Sequence, residues 1–173
     1  MSRQARPVVA SSMKNMSTKR RIVHGALAGV MGTVVMTVPI LASQRLHLLH
    51  TPPPVEISAN VARRTWLLPD RSHRAFPVVW IGAHLGYGAT CGIVYRLVRR
   101  FLPRSRPLAG LVFGLGVWAV SYLGVVPALR LYPWPADDSR PRQIVMIVAH
   151  GIFGVTIAKS TSFLEKANHH ASQ

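Results

Sequence analysis

The sequence predicts an all-α polytopic membrane protein: four transmembrane helices forming two related helix pairs, plus a short interfacial helix after the first span. Three observations predict it. Apolar residues make up 49% of the 173 residues and mean hydropathy is positive, although 21 residues are Lys or Arg. That combination fits long apolar runs separated by basic loops. Charge is indeed missing from four stretches: 23 residues between Arg21 and Arg45, 21 between Arg74 and Arg96, 23 between Arg106 and Arg130, and 16 between Arg142 and Lys159. A hydrocarbon core of ~30 Å needs about 20 residues of helix, and the fourth run reaches that length if Lys159 snorkels to the headgroups. Third, one ten-residue pattern occurs in both the second and the fourth run.

Residues 1–21 hold six Lys or Arg among polar residues and show no apolar periodicity, which predicts a basic tail. Helix one follows over about 22–42, with Pro39 near its end, where a lost backbone bond costs least. Its length, and the poor small-x-small site Ile40-Leu41-Ala42, argue for a retained helix over a cleaved signal peptide.

The connection that follows is not structureless. Thr51-Pro52-Pro53-Pro54 reads as an entry into a helix over about 55–68. Wound as a helix, it places Val55, Ile57, Ala59, Val61, Ala62, Trp66 and Leu68 on one arc. Glu56, Asn60, Arg63 and Arg64 fall opposite, and Leu67 alone is misplaced. Such a helix suits the membrane interface or the mouth of a bundle.

Helix two is expected over about 76–97, helix three over about 107–129 and helix four over about 143–164, with residues 165–173 as a tail. Between helices three and four, Tyr132-Pro133-Trp134-Pro135 places aromatics where an interfacial belt has them. The N-terminal tail, the second loop and the C-terminal tail share one side and carry 13 of the 21 basic residues, against 8 on the other. Four of the five acids, Glu56, Asp70, Asp137 and Asp138, lie on the poorer side. Both termini are therefore expected in the cytoplasm of a bacterial inner membrane.

The basic residues cluster at the ends of apolar runs and form no stripe with interleaved aromatics, so anionic lipid headgroups are expected as partners and nucleic acid is not. The lone Cys91 precludes an intrachain disulfide and reads as a small packed side chain. Glycines recur at four-residue spacing: Gly25 with Gly29, Gly82 with Gly86, Gly88 with Gly92, and Gly110 with Gly114. Stacked glycines let helix backbones approach closely where lipid supplies no hydrophobic force, within a chain or between copies in a homo-oligomer.

The repeat is more specific. Ile81-Gly82-Ala83-His84-Leu85-Gly86-Tyr87-Gly88-Ala89-Thr90 and Ile147-Val148-Ala149-His150-Gly151-Ile152-Phe153-Gly154-Val155-Thr156 both fit I-x-A-H-x-x-(Y/F)-G-x-T without a gap. Helices one and three agree more loosely, each opening with Gly-x-x-x-Gly and carrying a late proline, Pro39 and Pro127. The expectation is two related pairs about an axis along the membrane normal, with His84 and His150 at matching depths in the extracytoplasmic half. The competing reading is convergent use of small residues.

No carboxylate falls within an expected span, which argues against a carboxylate-based proton path. For the histidines three readings stand. They are packing groups hydrogen-bonded to neighbours, ligands of a haem or metal between helices, or a proton-responsive switch. His24, beside Arg20 and Arg21, is expected to be solvated. Ser121 and Tyr122 with Thr33 and Thr37 are candidates to line the same interior, and no nucleophile–base pair points to catalysis.

Taken together, Gly25-Ala26-Leu27-Ala28-Gly29, Pro52-Pro53-Pro54-Val55-Glu56-Ile57, Ala83-His84, Gly110-Leu111-Val112-Phe113-Gly114, Ser121-Tyr122-Leu123-Gly124 and Ala149-His150-Gly151 carry a resemblance. Over roughly residues 22–158 the pattern resembles the YagU-like group of small bacterial inner-membrane proteins. The resemblance implies a multi-pass inner-membrane location and no activity or catalytic residue. The expected function is a non-enzymatic envelope or accessory protein without a cofactor. The alternatives are a haem- or metal-binding electron-transfer subunit using His84 and His150, and, more weakly, a small transporter or an accessory to one.

Overall fold

The computed structural model describes residues 18–47, 51–65 and 69–170, without the side chains of residues 135 and 168–170. Among the described residues every regular element is helical. Helix α1 is Thr18–Arg45, α2 is Pro53–Thr65, and α3 is Phe76–Val98, prolonged by a 3-10 turn over Arg99–Phe101. Helix α4 is Arg106–Trp118, continued by a π-helical segment Ala119–Val125 and a last turn Val126–Ala128, and α5 is Arg140–His170. The α1, α3, α4 and α5 rods are each long and apolar enough to cross a membrane. Their outward faces carry Val38, Val78 and Ile144 at 60% exposure or more, an arrangement suited to lipid and costly in water.

The helix starts follow simple chemistry. Pro77, Pro107 and Pro141 each stand at the second residue of a spanning helix, where the missing N–H has no helical partner to lose. Charge marks the ends, with Arg45 in the last turn of α1 facing the negative pole of its dipole.

Three crossings hold the bundle: α1 on α3, α1 on α5, and α4 on α5. Helix α1 is therefore central, offering one face to α3 and another to α5. At the α1–α3 crossing a Cβ added to Gly92 would stand 2.0 Å from the Gly25 carbonyl oxygen, and one on Gly29 would stand 2.0 Å from that of Gly88. At the α4–α5 crossing a Cβ on Gly154 would meet the Gly110 carbonyl oxygen at 2.0 Å, and one on Gly114 that of His150 at 2.1 Å. Backbone thus lies on backbone in both pairs. Gly32 faces Phe153 and Ile157 on α5, both fully buried. Gly82 and Gly86, like Gly116 and Gly124, differ from these contact glycines, because a Cβ on any of them meets nothing within 4 Å.

Three expectations need correction. Lys19, Arg20 and Arg21, assigned to the tail, form the first turn of α1, because Lys and Arg are good helix formers whose stems can run along apolar surface. The fourth helix passes Leu164 and reaches His170, so Glu165 is a helical residue facing the bundle. Helix α2 sits over the mouth of the bundle, one of the two places its pattern suits, with Asn60 and Arg64 of its polar arc holding the end of α4. His24, expected to be solvated, has its Nδ1 buried without a partner among the described residues. Trp66, Leu67 and Leu68, and residues 1–17, lie outside the described residues.

Candidate functional site

The two pairs repeat one packing scheme, but not in the register that the sequence motif suggests. Gly92 meets the Gly25 carbonyl and the Gly29 backbone, as Gly154 meets the Gly110 carbonyl and the Gly114 backbone. Position 88 meets Gly29 as position 150 meets Gly114. The packing counterpart of His150 is therefore Gly88, one turn along α3 from His84. The histidines are therefore not equivalent in the packing, although the motif aligns them. The reason is steric. A Cβ at position 88 would stand 1.8 Å from Thr33 Oγ1, whereas the corresponding turn of the second pair holds His150 and Trp118.

That turn is where the bundle opens. A cavity of about 360 Å³ lies in the seam between α3 and α4, roofed by Pro53, Pro54, Ile57 and Ser58 of α2. His84 and Tyr87 line it from α3, Trp118, Ser121 and Tyr122 from α4, and Met146 and His150 from α5. Both histidines thus reach one cavity, although they occupy different turns. Thr33 and Thr37, expected to share this interior, do not line it. Thr33 is buried and donates to the Gly29 carbonyl at 2.9 Å, and Thr37 donates to that of Thr33 at 2.8 Å.

The backbone of α4 widens at the same place. Its π-helical turn begins after Trp118 and carries Ser121 and Tyr122, a local geometry that often marks function. The Ser121 hydroxyl pairs with the Tyr87 hydroxyl at 2.7 Å, joining α4 to α3 across the seam. The Tyr122 ring stacks on Trp118 at 5.6 Å between centroids, and its hydroxyl donates to Asp138.

The hydrogen-bonding capacity of the walls is only partly used. His150 Nδ1 lies 2.8 Å from the Met146 carbonyl oxygen. A carbonyl only accepts, so Nδ1 carries the proton and a neutral ring keeps its lone pair on Nε2. The Trp118 indole N–H is buried with no partner among the described residues, a costly state for a donor. Nearer the mouth, burial pushes the Tyr132 hydroxyl up to about 12, so it stays protonated at neutral pH.

The capped end of the bundle around this cavity is tightly tied. Asp138, 1% exposed in its side chain, pairs with Arg142 at 3.0 Å and accepts the Ser139 N–H at 2.8 Å. The Arg142 guanidinium also lies over the Tyr132 ring at 5.8 Å. Helix α4 ends in a left-handed residue, Arg130 (φ 53°), with Arg130 N–H on the Pro127 carbonyl and Leu131 N–H on that of Val126. From α2, Arg64 donates to the Leu129 and Arg130 carbonyls at 2.7 and 2.9 Å, and Asn60 to that of Leu131 at 2.7 Å.

Sequence reasoning missed Asp138, Trp118 and Gly154. The four-residue spacing of Asp138 and Arg142 was a readable signal. Gly154 was masked because His150, not glycine, stands four residues before it. A family model described as a family of unknown function, DUF6789, matches residues 19–172. The chain belongs to that family. No curated protein and no solved structure matches this DUF6789 chain. The resemblance to the YagU-like group rests on its short motifs alone.

Proposed function

We propose that this DUF6789 protein is a non-enzymatic accessory protein of the bacterial inner membrane that binds a small amphiphile in the α3–α4 seam. The observation that carries this reading is the orphaned indole N–H of Trp118 on the wall of a mainly apolar cavity. An apolar molecule bearing a carbonyl or hydroxyl oxygen would accept that hydrogen and donate, if hydroxylated, to His150 Nε2. The excess of Lys and Arg at the end carrying the termini supports cytoplasmic termini, with the cavity toward the opposite face. Anionic headgroups would surround the basic end. Association between copies would use the outward Gly82 and Gly86 of α3.

The test is purification in mild detergent, followed by extraction and mass analysis of bound small molecules. Wild type is compared with Trp118→Phe and with His84→Ala/His150→Ala. A stoichiometric organic ligand depleted in Trp118→Phe is expected. No ligand in the wild type, and no added amphiphile that protects it from thermal unfolding, would sink the reading.

The second reading, a haem or metal between His84 and His150, is favoured by the hydrogen bond that leaves Nε2 as the ligating atom of His150. Among the described residues no cluster of three or more His, Cys, Asp or Glu side chains could complete a metal shell. An absorbance spectrum and metal analysis of the same preparations test it. A stoichiometric cofactor lost in the double histidine variant would put electron transfer first.

A further inference from the structure

A larger cavity, about 780 Å³, lies at the opposite end of the bundle, where the start of α1, the end of α3, the start of α4 and the later turns of α5 meet. Five arginines line it, Arg21, Arg96, Arg99, Arg100 and Arg106, against one carboxylate, Glu165. We propose that this cavity is a binding site for a phosphate-bearing anion at the membrane surface.

Arg96 is the centre of the case. Its side chain is only 10% exposed, and its Nη2 meets Glu165 Oε1 at 3.0 Å. Nε and Nη1 are buried with no partner among the described residues. A guanidinium does not deprotonate in a protein, so it keeps its charge and its unmet donors. Burial of such a group is expensive unless an acceptor reaches it.

The other arginines divide by their commitments. Arg99 donates to the carbonyls of Pro103 and Arg104 at 2.9 and 3.0 Å, which shapes the loop, and Arg100 lies 4.5 Å over the Phe101 ring. Arg21 and Arg106 are exposed at the rim, on α1 and at the start of α4. Phosphate oxygens match the planar fork of Arg geometrically, and the crowded like charges gain from an anion among them. The cavity sits where the spanning segments of α1, α3 and α4 begin or end, the level of lipid headgroups. A phosphodiester headgroup and free phosphate offer the same chemistry.

Full-length protein in neutral detergent is titrated with phosphatidylglycerol or phosphatidylcholine and read by native mass spectrometry, and with inorganic phosphate read by 31P line broadening. Preferential retention of phosphatidylglycerol would identify the headgroup as the source, and saturable broadening without lipid would identify free phosphate. In either arm Arg21→Gln/Arg106→Gln, both at exposed positions, should weaken binding about tenfold or more. Glu165→Gln should strengthen it severalfold, because the carboxylate competes with the anion for Arg96. No preference and no broadening, or binding unmoved by both variants, would overturn the site. The Trp118→Phe variant keeps this binding, so the two cavities fail or stand separately.

Discussion

The two helix pairs are built alike and finished differently. In α1–α3, Gly25, Gly29 and Thr33 stand against Gly88 and Gly92, and the helices stay in backbone contact. In α4–α5 the scheme holds through Gly110, Gly114 and Gly154, then meets Trp118 and His150 where the first pair has Thr33 and Gly88. From that turn the second pair carries a cavity, a π-helical segment and an unmet indole donor. The first pair supplies rigidity, and the second departs from the shared scheme where chemistry has room. Local departures from an otherwise consistent pattern are where functional strain is expected.

The largest effect should come from the closed pair. Gly92→Val should cost about 3 kcal/mol, since its Cβ falls on the Gly25 carbonyl and backbone must move. Gly86→Ala should leave the monomer unchanged or slightly stabilised, by up to about 1 kcal/mol. Thermal unfolding in detergent reads both. Comparable losses would erase the distinction between inward and outward glycines, unless cross-linking shows copies parting in Gly86→Ala.

In the open pair, Asp138→Ala should cost about 2–3 kcal/mol, because it strands Arg142 and frees the Tyr122 hydroxyl beside the cavity. The same variant should release a ligand from the seam before it unfolds the first pair. Loss of both together, followed by hydrogen exchange, would show the pairs to be one cooperative unit.

Much of this is legible in the residues, and the limits are physical. Charge-free runs mark spans because the bilayer penalises charge, so all four spanning helices can be read from the order of residues alone. The glycine pairs announce close crossings, but spacing alone does not give the direction a helix faces. Gly82 and Gly86 therefore look like Gly88 and Gly92. The motif shared by His84 and His150 suggests equivalence, yet register is fixed by which backbones can touch, and that depends on Thr33 and Trp118 on other helices. Arg96 and Glu165 read as the ends of apolar runs, because their meeting joins residues far apart in the chain.

Two smaller tests sharpen the contrast between the pairs at their outer ends. Arg130→Gly relieves a left-handed conformation that costs a non-glycine residue about 1 kcal/mol, so the end of α4 should gain about that much in unfolding experiments. A loss instead would show that the Arg130 side chain matters more than its backbone. At the entrance to α3, the Ser72 hydroxyl and the Ser72 and His73 amides hold the Asp70 carboxyl below its ordinary 3.8. A depressed carboxyl contributes stability above its unfolded value, and that contribution disappears as pH falls below it. Amide signals of Ser72 and His73 should broaden on acidification below about pH 4 while those of α4 persist.

The central place of α1 has a consequence for how the protein is made. Its face toward α3 can be satisfied as soon as the second span leaves the ribosome, within one hairpin. Its Gly32 face waits for Phe153 and Ile157, which are synthesised after the three other long helices. Contacts between distant parts of a chain form late and leave surfaces open meanwhile. A nascent chain stopped before Arg140 would hold two uncovered glycine grooves, on α1 and on α4, that its own last helix fills in the finished fold, so the final span acts as the keystone of assembly.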